Sequence, residues 1–267
     1  MAEQQSADAE LGALKLPDGR EVVAPNVDQA VVLWKVVNED AFYLEAIEGL
    51  AEGDVVFDIG GNIGFTALLF ADRAPGVRVV SVEPAPPCYE AMRENIARHV
   101  PGGTAVQAAV GRAPGTMELT YYPESPVNST LYADIEETIG NHKAYMRTTG
   151  MREEFIQLHH ESLVTTFEKV VVTSVDVVTV GELAERHGVE EIALLKIDVE
   201  RAETDVLDGV PGPLWPRIRR VCVEVHDNDG RLEQVKQLLT AKGLRVRVGQ
   251  EEVLAGTAVH MVLATRD

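Results

Sequence analysis

The chain has 267 residues, of which 45% are apolar and 25% are charged, and its 43 acidic and 24 basic residues give a net charge of −19. This is the composition of a globular protein. The charge argues against nucleic-acid or anionic-membrane partners, because both require clustered cations. No apolar run is long enough to span a membrane, and the acidic N-terminus lacks the pattern of a secretory signal. We therefore expect a cytoplasmic protein.

The first fifty residues are expected to form an extension that caps the main domain. Residues 1–12 have the polar composition of a frayed terminus. A Pro-Asp-Gly turn within residues 14–20 indicates short strands on either side. Residues 28–50 have the apolar spacing of a helix. The predicted domain boundary lies between residues 50 and 51, with a single domain over 51–267.

Strands and helices alternate after residue 51. Continuous apolar runs such as Val55–Phe57 are typical of strands that are buried on both faces of a parallel sheet. A Thr-x-x-Glu capping box starts a helix after Thr179, and Pro86 and Pro87 open another that ends near His99. The predicted strands are residues 55–57, 77–82, 104–110, 116–122, 170–175, 192–197, 219–225, 244–248 and 258–264.

This alternation predicts an α/β fold with a doubly wound, mostly parallel sheet. The last two strands are close in sequence and are expected to form a hairpin that adds one antiparallel strand. The strand at 116–122 is expected outside the main sheet. Residues 128–168 interrupt the alternation with a polar, mostly helical insertion, and insertions of this length usually serve as lids or binding loops.

The two cysteines, Cys88 and Cys222, lie in a helical pattern and in an apolar strand. They are predicted to be reduced, buried thiols, and two cysteines cannot form a cysteine-rich zinc site.

A glycine-rich turn follows the first strand of the main domain, in the sequence from Asp58 to Gly64. Because Asn62 stands where the dinucleotide fingerprint requires glycine, a nicotinamide oxidoreductase is not indicated, and no phosphate-binding P-loop is present. An acid at Asp58 would repel a pyrophosphate but would suit a cation or a hydrogen-bond donor. Glu83, at the end of the second strand, is placed to accept from ribose hydroxyls. S-adenosylmethionine has a sulfonium, an amino group and a ribose, and fits both features.

Four segments together resemble the FkbM-type methyltransferases of the class I, S-adenosylmethionine-dependent superfamily. The resemblance covers roughly residues 40–265. One departure is Arg201, which stands where the family usually has glycine. The segments are Val56–Gly64, Val82–Pro84, Leu195–Glu200 and Val223–His226.

The resemblance implies a seven-stranded, Rossmann-like sheet and S-adenosylmethionine as cofactor. It implies that Glu83 holds the ribose, that Ala109 lies on the adenine side, and that Asp198 contacts the cofactor. Ser129 belongs to a small polar triplet at the cofactor edge, which could equally be an ordinary turn. The residues implied at the methionine end are Asp58, Gly60, Asn62 and Gly64.

The acceptor side is expected where the strands at 192–197 and 219–225 end. The residues at these two ends are Lys196, Asp198, Glu200, Glu224, His226 and Asp227. Three hypotheses remain open. His226 could be a general base, because histidine titrates nearest neutrality. Asp198 and Glu224, with or without His226, could bind Mg²⁺, which would acidify an acceptor hydroxyl. Alternatively these residues are structural, with Lys196 paired to an acid.

The insertion carries further candidates. His159 and His160 are adjacent, so on a helix they would not face the same way, and we expect both on the surface. Aromatic residues could line an acceptor pocket or cover the cofactor, or they could form a local core. They are Phe42, Tyr43, Tyr132, Tyr145 and Phe155.

The predicted function is O-methylation of a small-molecule hydroxyl, which the resemblance associates with polyketide, peptide or sugar natural products, either free or carrier-tethered. A carboxylate acceptor, which needs no base, is one alternative. A non-catalytic cofactor-binding or interaction module is another, and Arg201 mildly favours it. The sequence leaves the oligomeric state open.

Overall fold

The N-terminal segment packs as a hairpin followed by two helices. The structure, a computed structural model, describes residues 11–227 and 229–266, so the prediction for residues 1–10 lies outside the described residues. The single helix expected at 28–50 is two helices, because Asp40 adopts an extended backbone and its side chain accepts a hydrogen bond from the Tyr43 N–H at 2.8 Å. An aspartate in this conformation caps a new helix rather than continuing the previous one.

The remaining elements follow the predicted alternation. The strands are β1 (Gly12–Lys15), β2 (Glu21–Ala24), β3 (Val55–Ile59), β4 (Arg78–Val82), β5 (Thr104–Val106), β6 (Ala109–Val110), β7 (Gly115–Tyr121), β8 (Val171–Val178), β9 (Leu194–Ile197), β10 (Arg220–His226), β11 (Arg245–Gly249) and β12 (Val259–Thr265). The helices are α1 (Val27–Glu39), α2 (Ala41–Ala46), α3 (Phe65–Arg73), α4 (Pro86–His99), α5 (Ile135–Thr148), α6 (Glu153–Leu158), α7 (His160–Glu168), α8 (Val180–Arg186), α9 (Glu203–Asp208) and α10 (Arg231–Ala241).

The main sheet has seven strands in the order β11-β12-β10-β9-β3-β4-β5. Strand β12 runs antiparallel to both of its neighbours, β10 and β11, whereas β10, β9, β3, β4 and β5 pair in parallel. The predicted sheet with one antiparallel strand from the C-terminal hairpin is confirmed. Strands β3 and β9 are adjacent at its centre, so their carboxyl ends open at the same place.

A second, three-stranded sheet has the order β6-β8-β7. The expectation that the strand at 116–122 lies outside the main sheet is confirmed. The single strand expected at 104–110 is wrong in one respect: β5 pairs with β4 in the main sheet, whereas β6 pairs with β8 in the second sheet. The chain changes sheets at Gln107 and Ala108, a break that apolar periodicity does not reveal.

The core lies on both faces of the main sheet. All five residues of β3 are buried, with Phe57 and Ile59 on one face and Val56 on the other. Burying each such large apolar side chain contributes about 1.5–3 kcal/mol. Cys88 and Cys222 are free, buried thiols, as predicted.

The insertion between β7 and β8 contains helices α5, α6 and α7. They enclose a small apolar cluster of Tyr122, Ile139 and Phe167. His159 and His160 are exposed, as expected, and Phe155 is largely exposed too. No helix in the described part of the chain is both long enough and apolar enough to cross a membrane.

Candidate active site

Two turns meet at the carboxyl ends of β3 and β9. Gly60, in the turn after β3, has a φ of +78°, and a Cβ atom there would lie 1.7 Å from the carbonyl oxygen of Asp198 in the turn after β9. The Gly60 and Gly61 N–H groups donate to the Val82 carbonyl at 2.9 and 3.0 Å. Only glycine fits at position 60, both for its left-handed backbone and for this close approach.

A cleft of about 190 Å³ opens above these turns. Ligands of open α/β sheets bind at such clefts, beyond the carboxyl ends of the strands. Tyr43 of α2 also lies on its wall, whereas Phe42 does not. The sequence-predicted site residues that line the cleft are Gly60, Asn62, Glu83, Ala109, Ser129, Asp198 and Glu224.

Glu83 lies on the floor of the cleft and is 7% exposed. Its Oε2 accepts from the Asn62 N–H at 3.0 Å and its Oε1 from the Ala85 N–H at 2.9 Å. Burial raises the pKa of the Glu83 carboxyl to about 7, although both N–H groups act in the opposite direction. The carboxyl group is therefore held rigidly, with a titration near neutrality.

Asp58 and Lys196 form a buried ion pair beneath the cleft. The Lys196 Nζ lies 3.1 Å from Asp58 Oδ1 and donates to the Gly60 carbonyl at 2.7 Å. Asp58 Oδ2 accepts from the hydroxyls of Thr66 and Ser81 at 2.8 and 2.9 Å. Neither ionic side chain lines the cleft, in contrast to the sequence prediction of direct contacts. Instead, Asp58 holds Lys196 in place, and Lys196 in turn fixes the Gly60 turn through its hydrogen bond to the Gly60 carbonyl.

Gly64 also lies away from the cleft, at the start of α3 with a φ of +90°. A Cβ atom there would contact Ile96 and Met92 of α4. The geometry gives this glycine a role in packing and turn formation, not the predicted cofactor contact.

Asp198 does reach the cleft and its side chain is 30% exposed. Its Oδ2 accepts from the Tyr43 hydroxyl at 3.2 Å and lies 3.5 Å from the Lys196 Nζ. Two groups thus orient this carboxylate while part of it stays open to a ligand.

His226 is enclosed between two carboxylates. Its Nδ1 lies 2.8 Å from Glu203 Oε1 and its Nε2 lies 3.2 Å from Glu200 Oε2, and the ring is 3% exposed. Burial acts to lower the pKa of the imidazole, but the two carboxylates outweigh burial and hold that pKa well above its ordinary value. A protonated imidazole with both nitrogens engaged cannot accept a proton, so the geometry disfavours the predicted His226 base.

Glu200 was expected among the acidic residues at this strand end, but Glu203 was not singled out by sequence reasoning. Glu203 is fully buried, and its Oε2 lies 3.5 Å from the Arg231 Nη1. An available signal was the spacing of the two acids, which lie three residues apart just after the strand end. Neighbours three residues apart can face the same way at the start of a helix.

A second cavity, of about 300 Å³, adjoins the cleft. Glu200 and Glu224 line both spaces, so the two communicate there. The Glu224 side chain is half-buried there, and its carboxylate lies within 4.8 Å of the ligand atoms of Glu200 and His226. Burial, reinforced by the Asp198 carboxylate, raises the pKa of Glu224 well above its ordinary value, although His226 acts to lower it.

The side chains that could together bind a metal ion differ from the predicted pair, Asp198 and Glu224. Within residues 11–227 and 229–266, the cluster of three suitable side chains is Glu200, Glu224 and His226, whose ligand atoms lie within 4.8 Å of one another. Asp198 is not part of this cluster, because Tyr43 and Lys196 hold its carboxylate elsewhere. The predicted pairing of Asp198 with Glu224 as metal ligands is therefore not supported by the geometry.

The turn after β9 carries two residues with left-handed backbones, Glu200 with a φ of +49° and Arg201 with a φ of +80°. Arg201 is 5% exposed. Its Nε donates to Glu137 Oε2 at 2.8 Å and its Nη2 to Thr138 Oγ1 at 2.9 Å. Non-glycine residues in this region are strained, and such strain clusters at functional sites.

Comparison with known sequences decides the family. The methyltransferase FkbM domain matches residues 58–246, which include the Gly60 turn and both acidic strand ends. The chain belongs to the FkbM methyltransferase family. This FkbM-family protein is therefore an S-adenosylmethionine-dependent methyltransferase, and the match favours an enzyme over the non-catalytic alternative.

The FkbM-family enzyme is similar to several curated proteins, two of them matched over most of their length. It is 37% identical over 257 residues to the 31-O-demethyl-FK506 methyltransferase FkbM of Streptomyces tacrolimicus, covering 95% of this chain and 96% of the relative. It is 33% identical over 215 residues to Methyltransferase 1 of Beauveria bassiana, covering 79% and 81%. It also matches the AMB antimetabolite synthetase AmbE of Pseudomonas aeruginosa at 29% identity, over 99% of this chain but 13% of that protein.

The residues of the cleft fit the cofactor of this FkbM-family enzyme. The contact between Gly60 and Asp198 leaves backbone, not side chain, at the base of the cleft. Glu83 and Asp198 present acceptor oxygens, and Val82, Ala108 and Leu119 supply apolar wall. Acceptors suit the amino group and ribose of S-adenosylmethionine, and an apolar wall suits its adenine.

Proposed function

We propose that this enzyme transfers a methyl group from S-adenosylmethionine to the hydroxyl oxygen of a small molecule. The observation that carries the proposal is the position of Glu224, a half-buried acid that lines both the cleft and the second cavity where they join. A carboxylate whose pKa is raised by its surroundings is a stronger base than an ordinary carboxylate, which suits it to take a proton from a hydroxyl.

The cleft residues would hold the cofactor by complementary polarity. Glu83 is fixed by two backbone N–H groups and would accept from the ribose hydroxyls. Asp198, oriented by Tyr43 and Lys196, would accept from the amino group of the methionine end. Ala109 and Ser129 line the same cleft and would lie beside the adenosine. Asn62 would contribute chiefly its backbone.

S-adenosylmethionine supplies an electrophilic methyl group when it is bound. The acceptor oxygen would then gain a bond to carbon as the sulfur–carbon bond breaks, and its proton would pass to Glu224. His226 would remain protonated between Glu200 and Glu203 and would position the Glu200 carboxylate. Holding base and acceptor in line supplies much of the rate enhancement in such reactions.

The charge of the junction favours a hydroxyl over a carboxylate acceptor. Asp198, Glu200 and Glu224 all lie along the cleft, and a carboxylate acceptor would be repelled by these acids. The named relatives support a natural-product acceptor, because one is described as acting on 31-O-demethyl-FK506. If the acceptor is tethered to a carrier protein, that carrier would need a basic face to meet this acidic chain.

A Mg²⁺ ion, if the enzyme uses one, would be held by Glu200, Glu224 and Nε2 of His226. His226 would have to lose its proton, and Glu203 on the other ring nitrogen would then orient the imidazole. A carboxylate behind a ligating histidine is a common arrangement around metals.

The test is calorimetric titration with S-adenosylhomocysteine, followed by turnover with panels of alcohols and carboxylic acids, with Mg²⁺ or EDTA. We expect wild-type enzyme to bind S-adenosylhomocysteine, Glu83→Ala to lose this binding, and Glu90→Gln, an exposed control on α4, to retain it. Turnover should occur with alcohols and not with acids. Methyl ester formation from acids alone would overturn the hydroxyl assignment, and loss of turnover in EDTA would establish the metal.

A further inference from the structure

The second cavity is built from two facing helices and the polar junction. Helix α1 contributes Gln29, Val32, Leu33 and Val36 to its wall, and helix α5 contributes Thr138, Asn141, His142 and Tyr145. Both sets follow the i, i+3, i+4, i+7 spacing of a single helix face. Each helix therefore presents one continuous face to the cavity.

The α1 face is apolar and open. Val32 is 54% exposed and Val36 is 45% exposed. The cavity is continuous with the cofactor cleft through Glu200 and Glu224. A molecule whose hydroxyl lies at Glu224 would therefore extend between the two helices, covering the valines. Because the floor is acidic and the α1 wall apolar, the best occupant is an uncharged acceptor with a largely apolar body.

Arg201 is the link between the junction and the α5 wall. Its guanidinium contacts Glu137 and Thr138 in the first turn of α5, and Thr138 itself lines the cavity. The ion pair is nearly buried, with side-chain exposures of 4% for Arg201 and 13% for Glu137. A planar guanidinium that contacts two groups at once fixes their positions more firmly than a single charge would.

The backbone at Arg201 suggests why this link matters. A φ of +80° favours glycine. The structure retains arginine in spite of that preference, with both side-chain contacts directed to α5.

We propose, on the basis of the proposed function, that Arg201 is a specificity-determining positioning residue. It fixes the α5 wall of the second cavity, and this cavity receives the apolar, uncharged body of the methyl acceptor. Removing Arg201 would loosen the wall without touching the cofactor cleft.

The experiment uses full-length enzyme saturated with S-adenosylhomocysteine and the neutral apolar dye Nile red, displaced by linear alcohols from butanol to decanol. Arg201→Gly suits the backbone, so it should fold. We expect it to bind Nile red about tenfold more weakly, because an ordered wall is lost, and to discriminate less among alcohol lengths. Hydrogen exchange in α5 should become faster. Arg201→Lys keeps the charge, so its Nile red affinity should lie between those of wild-type enzyme and Arg201→Gly.

The control is Arg112→Gly, which removes an exposed loop arginine paired with Asp205 and Asp208. It should leave dye affinity unchanged. Faster α5 exchange in Arg201→Gly with wild-type dye affinity and length preference would overturn the proposal, leaving a structural role alone. Absence of Nile red binding in wild-type enzyme that still binds S-adenosylhomocysteine would overturn the apolar cavity. Failure of wild-type enzyme to bind S-adenosylhomocysteine would instead refute the proposed function.

Discussion

The turns after β3 and β9 are neighbours, and both contain residues with left-handed backbones. They place different types of residue at these strained positions. The β3 turn uses Gly60, Asn62 and Gly64 at its positive-φ positions, whereas the β9 turn uses Glu200 and Arg201. The first turn presents its backbone to the cleft and has no room for a side chain at Gly60. The second turn presents charged side chains and tolerates strain to do so. The β3 turn depends on the absence of a side chain at Gly60, whereas the β9 turn depends on the charged side chains of Glu200 and Arg201.

The largest effect is expected from Glu224→Gln, beside the second turn. Loss of general-base catalysis should lower kcat by about 10²–10⁴-fold. The measurement is S-adenosylhomocysteine formation with an alcohol acceptor, with cofactor affinity followed by calorimetry. Glu233→Gln, on the exposed face of α10, is the control.

Near-normal turnover in Glu224→Gln, together with a large loss in a folded His226→Ala, would return the base role to His226.

Gly60→Ala tests the first turn. The new Cβ would meet the Asp198 carbonyl at 1.7 Å, and strain at a required backbone conformation should lower the free energy of unfolding by about 3 kcal/mol or more. Denaturant titration measures the loss. Gly140→Ala is the control of opposite sign, since nothing lies within 4 Å of its Cβ and alanine favours the α5 helix by about 0.5–1 kcal/mol. Equal stability of both variants would contradict the close approach.

Glu83 predicts a pH dependence for the cofactor-free enzyme. Burial raises its pKa from 4.5 to about 7. A carboxyl whose pKa is raised on folding stabilises the fold below its unfolded pKa, and this stability is lost as the pH rises through the folded value. The free energy of unfolding should therefore fall by up to about 3 kcal/mol between about pH 4.5 and 7.

Unfolding titrations across this pH range measure that slope. Glu83→Gln should reduce it without abolishing it, because burial also raises the pKa of Asp40, to about 6. An unchanged slope in Glu83→Gln would show that Glu83 ionises normally.

The smallest effects come from placing glycine in each turn. Glu200→Gly relieves the backbone but removes the carboxylate beside His226, and losing a charge-assisted contact worth about 1.5–3 kcal/mol should lower turnover about 10–100-fold. Asn62→Gly keeps the backbone N–H that donates to Glu83, so cofactor affinity should change by less than about threefold. Similar losses in both variants would remove the distinction between the turns.

The sequence predicted the main sheet well because its strands are apolar runs with few competing signals. Lys196 illustrates what it could not predict. A lysine within the apolar strand Leu194–Ile197 signals a buried charge, but its partner, Asp58, belongs to a different strand. The same limit applies to Glu203, whose burial against His226 depends on the packing of α9 beside β10.

The sequence predicted those site residues whose position follows from the end of a single strand. Glu83 and Asp198 line the cleft as expected, whereas Asp58 does not line it and is paired with Lys196 of the neighbouring strand. The division of residues 28–50 into two helices at Asp40 was missed because the apolar spacing continues through the capping residue.

The contact between Gly60 and Asp198 has an evolutionary consequence. The two turns interlock backbone to backbone, so neither can be rebuilt without disturbing the other. We therefore expect variation in acceptor choice to arise from side chains that face the second cavity, on α1, on α5 and at Arg201, and not from the backbone of the two turns. The two turns can then stay unchanged while the range of acceptors changes. Redesign of acceptor choice should therefore begin at the side chains of α1 and α5 that face the second cavity.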